Sequence, residues 1–355
     1  MTNSFDPSPE TPRLALRCDA TSAIGVGHVV RCVALGQELR GRGHDVVLWG
    51  RIDGIAWLTD LVADSGLRIL PAVDGVAAQV DQAVDAGFTG VVLDGYHLET
   101  GLGGALRAAG RVVLALVDGD FGAAQEADLY VDQNLGAQPH RGGPDGSQCL
   151  TGAGYTLLRD SVRACRRAPG PVSASGEIRS VLAVFGGTDP AGVAPRVIPA
   201  LLATGAEIDV SVVASDPRTA DRLAALPRSS RQRLRVIPPQ RDLAALAAAS
   251  DVTLSASGTT VWELLAIGVP TAVVCAIDNQ RLGYGALLAA DVATGLGTMP
   301  DLDSDLVAAT LRELIENPQR ATDLAARGQQ LIDGDGRCRV ADAFVSRLAA
   351  LSPGR

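Results

Sequence analysis

Residues 13–32 read RLALRCDATSAIGVGHVVRC: an apolar strand, a turn through two glycines, and a helix with a histidine at its head. Val29, Cys32, Val33 and Leu39 recur at helical spacing, which predicts a helix over 28–40. Gly25 and Gly27 let the backbone approach a ligand closely, and a helix start offers unpaired N–H groups. His28 can take a proton near neutral pH. The stretch therefore reads as a binding loop, a catalytic loop or a tight turn. A nicotinamide-cofactor loop fits poorly. Val30 stands where a third glycine is needed, and the next strand ends in Gly50-Arg51 with no acidic residue for a ribose.

Outward from this stretch, strands alternate with helices. HDVVLWG (44–50), GVVLDGY (90–96), RVVLALVDGD (111–120) and ADLYVDQN (127–134) read as strands, with helices near 76–87 and 100–109. RRAPGPVSASGEI (166–178) has linker composition. After it the pattern restarts with RSVLAVFGG (179–187), EIDVSVVAS (207–215), LRVIPP (234–239), SDVTLSAS (250–257) and PTAVVCAI (270–277). Helices near 193–203, 241–249 and 259–267 separate these strands, and helices over 304–317 and 319–350 close the chain, with DGDG (333–336) read as a helix break. Strands apolar on both faces imply parallel sheets covered by helices. The expected organisation is a disordered lead-in (1–12), an N-terminal Rossmann-like domain (13–165), a linker (166–178) and a C-terminal Rossmann-like domain (179–350). Tandem domains of this kind face a cleft, with ligands at the carboxyl ends of the strands.

With 355 residues, the chain exceeds one ordinary core. Its net charge of −9 argues against nucleic acid or an anionic membrane surface as partner. No apolar stretch approaches the roughly 20 residues that span a bilayer. The start, MTNSFDPSPETPR, lacks the basic region and apolar core of a secretion signal. The 6 cysteines form no CxxC and no cluster with histidine, so they read as reduced thiols, which fits a cytoplasmic location. All 31 basic residues are arginine, which excludes a P-loop lysine, a Schiff-base lysine and a Ser-Lys dyad.

Two further loops carry phosphate chemistry. In VFGGTDPAG (184–192), Gly186 and Gly187 free the backbone, and Thr188 or Asp189 can cap the following helix, whose start suits a diphosphate. In SASGTTVWELLAIGVP (255–270), Ser257, Gly258, Thr259 and Thr260 form a helix start rich in hydroxyls and amides. Glu263, one turn on, can accept hydrogen bonds from a ribose diol, while Trp262 and Leu264 face the core. Asn279 and Gln280, in DNQ (278–280), suit sugar hydroxyls. Together these loops describe a nucleotide-sugar site. Asp118-Gly119-Asp120 has the form of a DxD metal signature but ends a strand in the first half, away from the donor loops. Asp94 and Asp118 read as residues that fix loops at strand ends, and His97 as a helper of Tyr96 or a water-facing side chain. His44 and His140 lie in loops and read as inert.

The motifs GVGHVVRC, VLDGY, FGGTDP, SGTTVWELLAIGVP, DNQ and GDGRCRVADAF come in a familiar order. The chain resembles the hydrolases that remove UDP from a diacetamido-trideoxy sugar in pseudaminic acid synthesis. It is similar also to spore-coat-polysaccharide glycosyltransferase-like proteins and, more distantly, to the transferase that adds N-acetylglucosamine to lipid I. The resemblance implies a GT-B architecture, a UDP-sugar as substrate, and neither catalytic metal nor cofactor. By it His28 matches a catalytic histidine, Tyr96 an active-site tyrosine and Asn279 a sugar-contacting asparagine. Glu263 and the Ser257–Thr260 loop match nucleotide-binding elements, with the uracil against backbone near Ile237. Arg31 would help meet the charge of the leaving diphosphate. The hydrolases carry Asp-His-Tyr where this chain has Asp94-Gly95-Tyr96, and their Trp-Glu is absent from HLETGLGGALRAAG (97–110). The donor half is kept and the acceptor half altered. The expected activity is inverting transfer from a UDP-sugar to a small acceptor in a natural-product or surface-glycan pathway, with hydrolysis of the UDP-sugar as the alternative.

Overall fold

The computed structural model describes residues 12–21, 24–118, 122–173, 175–187, 189–240 and 242–351, so most of the expected lead-in lies outside the described residues. The chain forms two compact units. Unit 1 comprises residues 1–160 and 334–355, and unit 2 residues 161–333.

Unit 1 alternates β1 (Arg13–Arg17), α1 (Gly27–Gly41), β2 (Asp45–Trp49), α2 (Ala56–Asp64), β3 (Arg68–Leu70), α3 (Val76–Asp85), β4 (Phe88–Leu93), α4 (Leu102–Ala108) and β5 (Val112–Leu116). β6 (Leu129–Asp132) and β7 (Gln148–Thr151) complete a parallel sheet of order β3-β2-β1-β4-β5-β6-β7. Successive side chains of a strand point to opposite faces, and both faces here are covered. Leu14 and Leu16 join one buried cluster with Leu48, Val92 and Leu114. Ala15, between them, joins another with Val47, Val91 and Val113. The strand order reverses between β1 and β4, and the crevice at such a reversal is where open α/β sheets take ligands.

A short helix, α5 (Asp160–Ala164), spans the division between the units. Unit 2 then runs through β8 (Ser180–Val184), α6 (Ala194–Ala203), β9 (Asp209–Val213), α7 (Pro217–Ala224), β10 (Arg233–Ile237), α8 (Leu243–Ala248), β11 (Val252–Ala256) and α9 (Thr260–Ile267). β12 (Thr271–Cys275), α10 (Arg281–Ala289), β13 (Thr294–Thr298), α11 (Ser304–Glu316) and α12 (Pro318–Leu331) finish it. Its parallel sheet has the order β10-β9-β8-β11-β12-β13, the same winding as unit 1, reversing between β8 and β11. The two glycine- and hydroxyl-rich loops singled out in the sequence follow these two strands. Among the described residues no helix is long and apolar enough to cross a membrane.

Two expectations about the domains need correction. The stretch expected as a linker is stitched into unit 2 at its beginning. Arg166 Nη1 donates to Ala266 O at 2.8 Å and to Ile332 O at 2.7 Å, and the Arg167 amide donates to Ile267 O at 2.9 Å. These arginines satisfy carbonyls at the end of α9 that the helix itself cannot pair. The second domain is also not continuous to residue 350. The chain breaks helix after α12, as DGDG suggests, and α13 (Gly336–Leu351) returns to unit 1. There Val340, Ala341 and Phe344 are fully buried. A Cβ at Gly90 of β4 would lie 2.8 Å from Phe344 Cζ and 2.9 Å from Leu348 Cδ2, so a glycine in the strand lets α13 seat against the sheet.

Candidate active site

In unit 1 the site grows from the turn between β1 and α1. Gly25, at φ 87°, adopts the left-handed conformation the turn requires, and its amide donates to Thr21 O at 2.9 Å. Ser22 and Ala23 lie outside the described residues. Helix α1 opens at Gly27 with no capping side chain, which places His28 in its first turn. Asp94 is the residue after β4, and its amide continues the β1–β4 ladder by donating to Arg17 O at 2.9 Å. The sequence thus brings a helix start and a carboxylate together at the strand-order reversal.

Asp94 is 1% exposed and gathers donors from one face of α1. Its Oδ1 lies 2.7 Å from His28 Nδ1 and 2.5 Å from Arg31 Nη2, and its Oδ2 lies 2.6 Å from Arg31 Nε. The Cys32 thiol adds a longer contact of 3.7 Å to Oδ2. Burial alone would raise the Asp94 carboxyl's pKa. The Arg31 charge and hydrogen bonds, together with His28, overcome that and hold it at about 2. Asp94 is therefore a carboxylate and can only accept, so His28 Nδ1 carries a proton, which in the neutral imidazole leaves the lone pair on Nε2. Arg31, expected to meet substrate, has Nε and Nη2 committed to Asp94. It keeps that carboxylate charged.

The Tyr96 ring stands edge-on to the His28 imidazole, with centroids 4.6 Å apart and planes at 88°. Its hydroxyl donates to Asp118 Oδ2 at 2.5 Å, and Asp118 Oδ1 accepts from Asn134 Nδ2 at 3.0 Å. Asn134 Nδ2 also donates to Asp132 Oδ1 at 2.9 Å. Burial and the neighbouring Asp118 push the Tyr96 pKa up, so it stays a phenol. Gly119 and Asp120 of the DxD-like stretch lie outside the described residues, and Asp118 is occupied by Tyr96 and Asn134. Among the described residues no group of three or more His, Cys, Asp or Glu could hold a metal ion. The sequence reading named Asp94 and Asp118 but missed Asp19, Asp132 and Asn134. The signal was present: an Asp follows or ends the apolar run of each of β1, β4, β5 and β6, making a row along the carboxyl edge of the sheet.

Unit 2 presents its own cluster of sequence-predicted residues. The Ser257 amide continues the ladder to Val274 O at 2.9 Å, and its hydroxyl lies 3.4 Å from Gln280 Oε1. Gln280 Oε1 also accepts from the Ala276 amide at 3.0 Å. Gln280, expected to touch sugar, thus ties the β12 end to the Ser257 turn, while Asn279 beside it is exposed. Helix α9 begins after Gly258 and Thr259, and its N-cap Thr259 makes no side-chain capping bond. Thr260 and Glu263 lie in its first turn, and Trp262 and Leu264 are buried as expected. At the other loop Gly186 (φ 79°) and Gly187 are exposed. One of the two residues expected to cap the next helix does so. Asp189 caps it, accepting from the Val193 and Ala194 amides, each at 2.8 Å. A carboxylate already fills that end of α6. Thr188 lies outside the described residues. Ile237 ends β10, with its carbonyl accepting from the Ala214 amide at 3.0 Å.

No protein-family model matches the chain. It is 29% identical over 208 residues to the UDP-N-acetylglucosamine–N-acetylmuramyl-(pentapeptide) pyrophosphoryl-undecaprenol N-acetylglucosamine transferase of Rhodopseudomonas palustris, covering 56% of each chain. It is 20% identical over 282 residues to an uncharacterized protein of Methanocaldococcus jannaschii, covering 77% of this chain and 57% of that one. The chain thus spans little more than half the length of these curated relatives. Among solved structures it is similar to MurG of Acinetobacter baumannii, with a TM-score of 0.67, 18% identity, and coverage of 94% of this chain and 99% of that one. It is similar also to MnaA of S. aureus in complex with UDP, with a TM-score of 0.69, 12% identity and coverage of 96% and 97%. The calicheamicin glycosyltransferase CalG4 gives a TM-score of 0.63, 14% identity and coverage of 97% and 100%. The narrower likeness to pseudaminic-pathway and spore-coat proteins rests on the sequence motifs alone. What these structures share with the chain is two Rossmann-like parallel-sheet units, and its fold is accordingly the GT-B fold of glycosyltransferases and UDP-sugar enzymes.

Proposed function

We propose that the chain is a UDP-sugar-dependent glycosyltransferase in which unit 2 holds the nucleotide and His28 of unit 1 is the general base. The observation that carries this reading is the His28–Asp94–Arg31 arrangement: a buried carboxylate, kept charged by an arginine, fixes the imidazole with its lone pair on Nε2. Nε2 takes the proton from an acceptor O–H or N–H as that atom bonds to the anomeric carbon. The bond from that carbon to the diphosphate oxygen breaks, UDP leaves with the electron pair, and the centre inverts. Base catalysis of this kind contributes about 10²–10⁴-fold. Negative charge growing on UDP is met by the uncapped start of α9 and by the amides of Gly186 and Gly187, without a metal. Glu263 takes the ribose hydroxyls, and Asn279 contacts the sugar. The relatives support the donor class, since the Rhodopseudomonas palustris protein is named for a UDP-sugar transfer and MnaA was solved with UDP.

Incubation with a panel of UDP-sugars, with and without small hydroxyl- or amine-bearing acceptors, tests the reading through UDP release. Acceptor-dependent release that persists in EDTA supports it, and release lost in EDTA overturns the metal-free step. UDP released at the same rate in water alone makes the enzyme a hydrolase working with the same base. His28→Ala should lower turnover at least about a hundredfold with UDP affinity kept, and unchanged turnover removes His28 from the chemistry.

A further inference from the structure

The segment Asp94-Gly95-Tyr96-His97 places a second imidazole–carboxylate pair beside the first. His97 Nε2 lies 2.5 Å from Asp19 Oδ2, with the histidine side chain about one-third exposed at 33%. Asp19 follows β1, the strand next to β4, and is held from several sides. Its Oδ1 accepts from Arg17 Nη1 at 2.9 Å and from the Arg51 amide at 2.7 Å. Arg17 is itself buried, with Nε donating to Gln79 Oε1 at 2.9 Å and its guanidinium 5.9 Å from the Trp49 ring centroid. The close approach of β2 to this carboxylate depends on Gly50, where a Cβ would lie 1.7 Å from Cys18 O. Asp19 is thus a fixed post. Burial raises its pKa, but His97 and Arg17 outweigh that and hold it at about 2. As an acceptor-only carboxylate it requires the proton of His97 on Nε2, the tautomer opposite to that of His28.

His97 reaches Asp19 by lying over Gly95. A Cβ at Gly95 would sit 2.8 Å from His97 Cε1 and 3.1 Å from Nδ1. Between these two residues is Tyr96, whose ring packs edge-on to His28 and whose hydroxyl binds Asp118. The four-residue turn is therefore fastened at Asp94 to α1, at Tyr96 to the β5 end and at His97 to the β1 end. We infer that His97 is a positioning residue: its clasp on Asp19 fixes the 94–97 turn and so sets the Tyr96 ring against the His28 imidazole. The inference rests on the reading of His28 as the base. Asp19 and His97 touch no reacting atom in it.

The test reads the imidazoles directly. The chain has only 4 histidines, so ¹⁵N-resolved NMR of the imidazoles can follow each one. In the unchanged protein His28 should report Nδ1–H and His97 Nε2–H. His97→Ala removes the clasp and Gly95→Ala displaces the ring from it, and both should shift the His28 resonances. His97→Gln, which presents an amide N–H at similar reach, should restore them. With a turned-over UDP-sugar, the first two variants should lose about ten- to a hundredfold in kcat with the donor KM unchanged, and His97→Gln should recover most of it. His28 resonances that stay in place in folded His97→Ala overturn the positioning role whatever the substrate. An Nδ1–H tautomer on His97 in the unchanged protein overturns the clasp. Coupled resonances without UDP release from any UDP-sugar would instead remove the proposed function and leave the clasp standing.

Discussion

Asp94 holds a buried arginine and an imidazole at once, so its neutral analogue separates two effects. Asp94→Asn keeps the shape but leaves Arg31 as an uncompensated buried charge, a change that costs about 3–5 kcal/mol. It also removes the carboxylate that fixes the His28 tautomer, and turnover should fall at least about a hundredfold. Denaturant unfolding and UDP release measured on the same protein check both halves, and a variant of native stability would show that Arg31 finds another partner. The acid limb follows from the same residue. The Asp94 pKa is about 2 in the folded chain, below the ordinary carboxylate value of about 3.9. Its contribution to stability is complete above about pH 4 and is lost as pH falls toward 2. Unit 1 should unfold over that window, and Asp94→Asn should flatten the limb. At this scale the sequence revealed the chemistry-bearing residue types but not all of their partners. His28 and Asp94 stand out in their motifs, whereas Asp19 and His97 lie 78 positions apart and meet only because β1 and β4 are neighbours.

Helix α9 shows how an element presents a loop. Its start is uncapped, and its end is closed by Gly268 at φ 82°, where a Cβ would lie 2.3 Å from Gln329 Nε2 of α12. Gly268→Ala combines left-handed strain with a clash, so it should lower the stability of unit 2 by more than about 1 kcal/mol. Thermal unfolding resolves this, and an unchanged midpoint would mean that α12 yields without cost. Glu263→Ala should weaken UDP, which calorimetry can read; equal affinity counts against the ribose contact. Several elements with a clear period were legible, although α2, with Leu58 and Val62 buried one turn apart, was not read. The helix expected at 28–40 forms over 27–41, and the strand expected at 250–257 forms over 252–256. Elements without such a period were not. Strand β7 is Gln-Cys-Leu-Thr with one buried residue, and β13 is Thr-Gly-Leu-Gly-Thr, whose two glycines weaken the strand pattern. Helix α7 is mostly exposed and polar, with Leu223 its one buried residue, so hydrophobic spacing could not mark it.

For the whole molecule, repetition of one winding in both units was readable because the β–α alternation restarts after residue 178. The boundary was not, because proline- and glycine-rich composition does not reveal that Arg166 and Arg167 are bonded into unit 2. Nor does a helical period say which core it serves. The buried face of α13, with Val340, Ala341 and Phe344, belongs to unit 1 although unit 2 precedes it in the chain. Arg337 reinforces that docking, with Nη2 2.5 Å from Asp160 Oδ1 and Nη1 donating to Leu158 O at 3.2 Å. Phe344→Ala should lower the stability of unit 1 by about 3–5 kcal/mol while leaving unit 2 intact. Hydrogen exchange read unit by unit checks this, and equal loss in both would place the helix differently.

The borrowed helix also sets an order of events during synthesis. The sheet of unit 1 leaves the ribosome first but waits for its cover until residues 161–333 have been translated, about 9–35 s at ordinary elongation speeds. Over that interval Leu14, Gly90 and their neighbours present an open greasy face on the nascent chain, and unit 2 closes its own core only with α12, one helix ahead of α13. The amino-terminal unit is therefore the later of the two to mature, and it is the one a holding chaperone would have to guard.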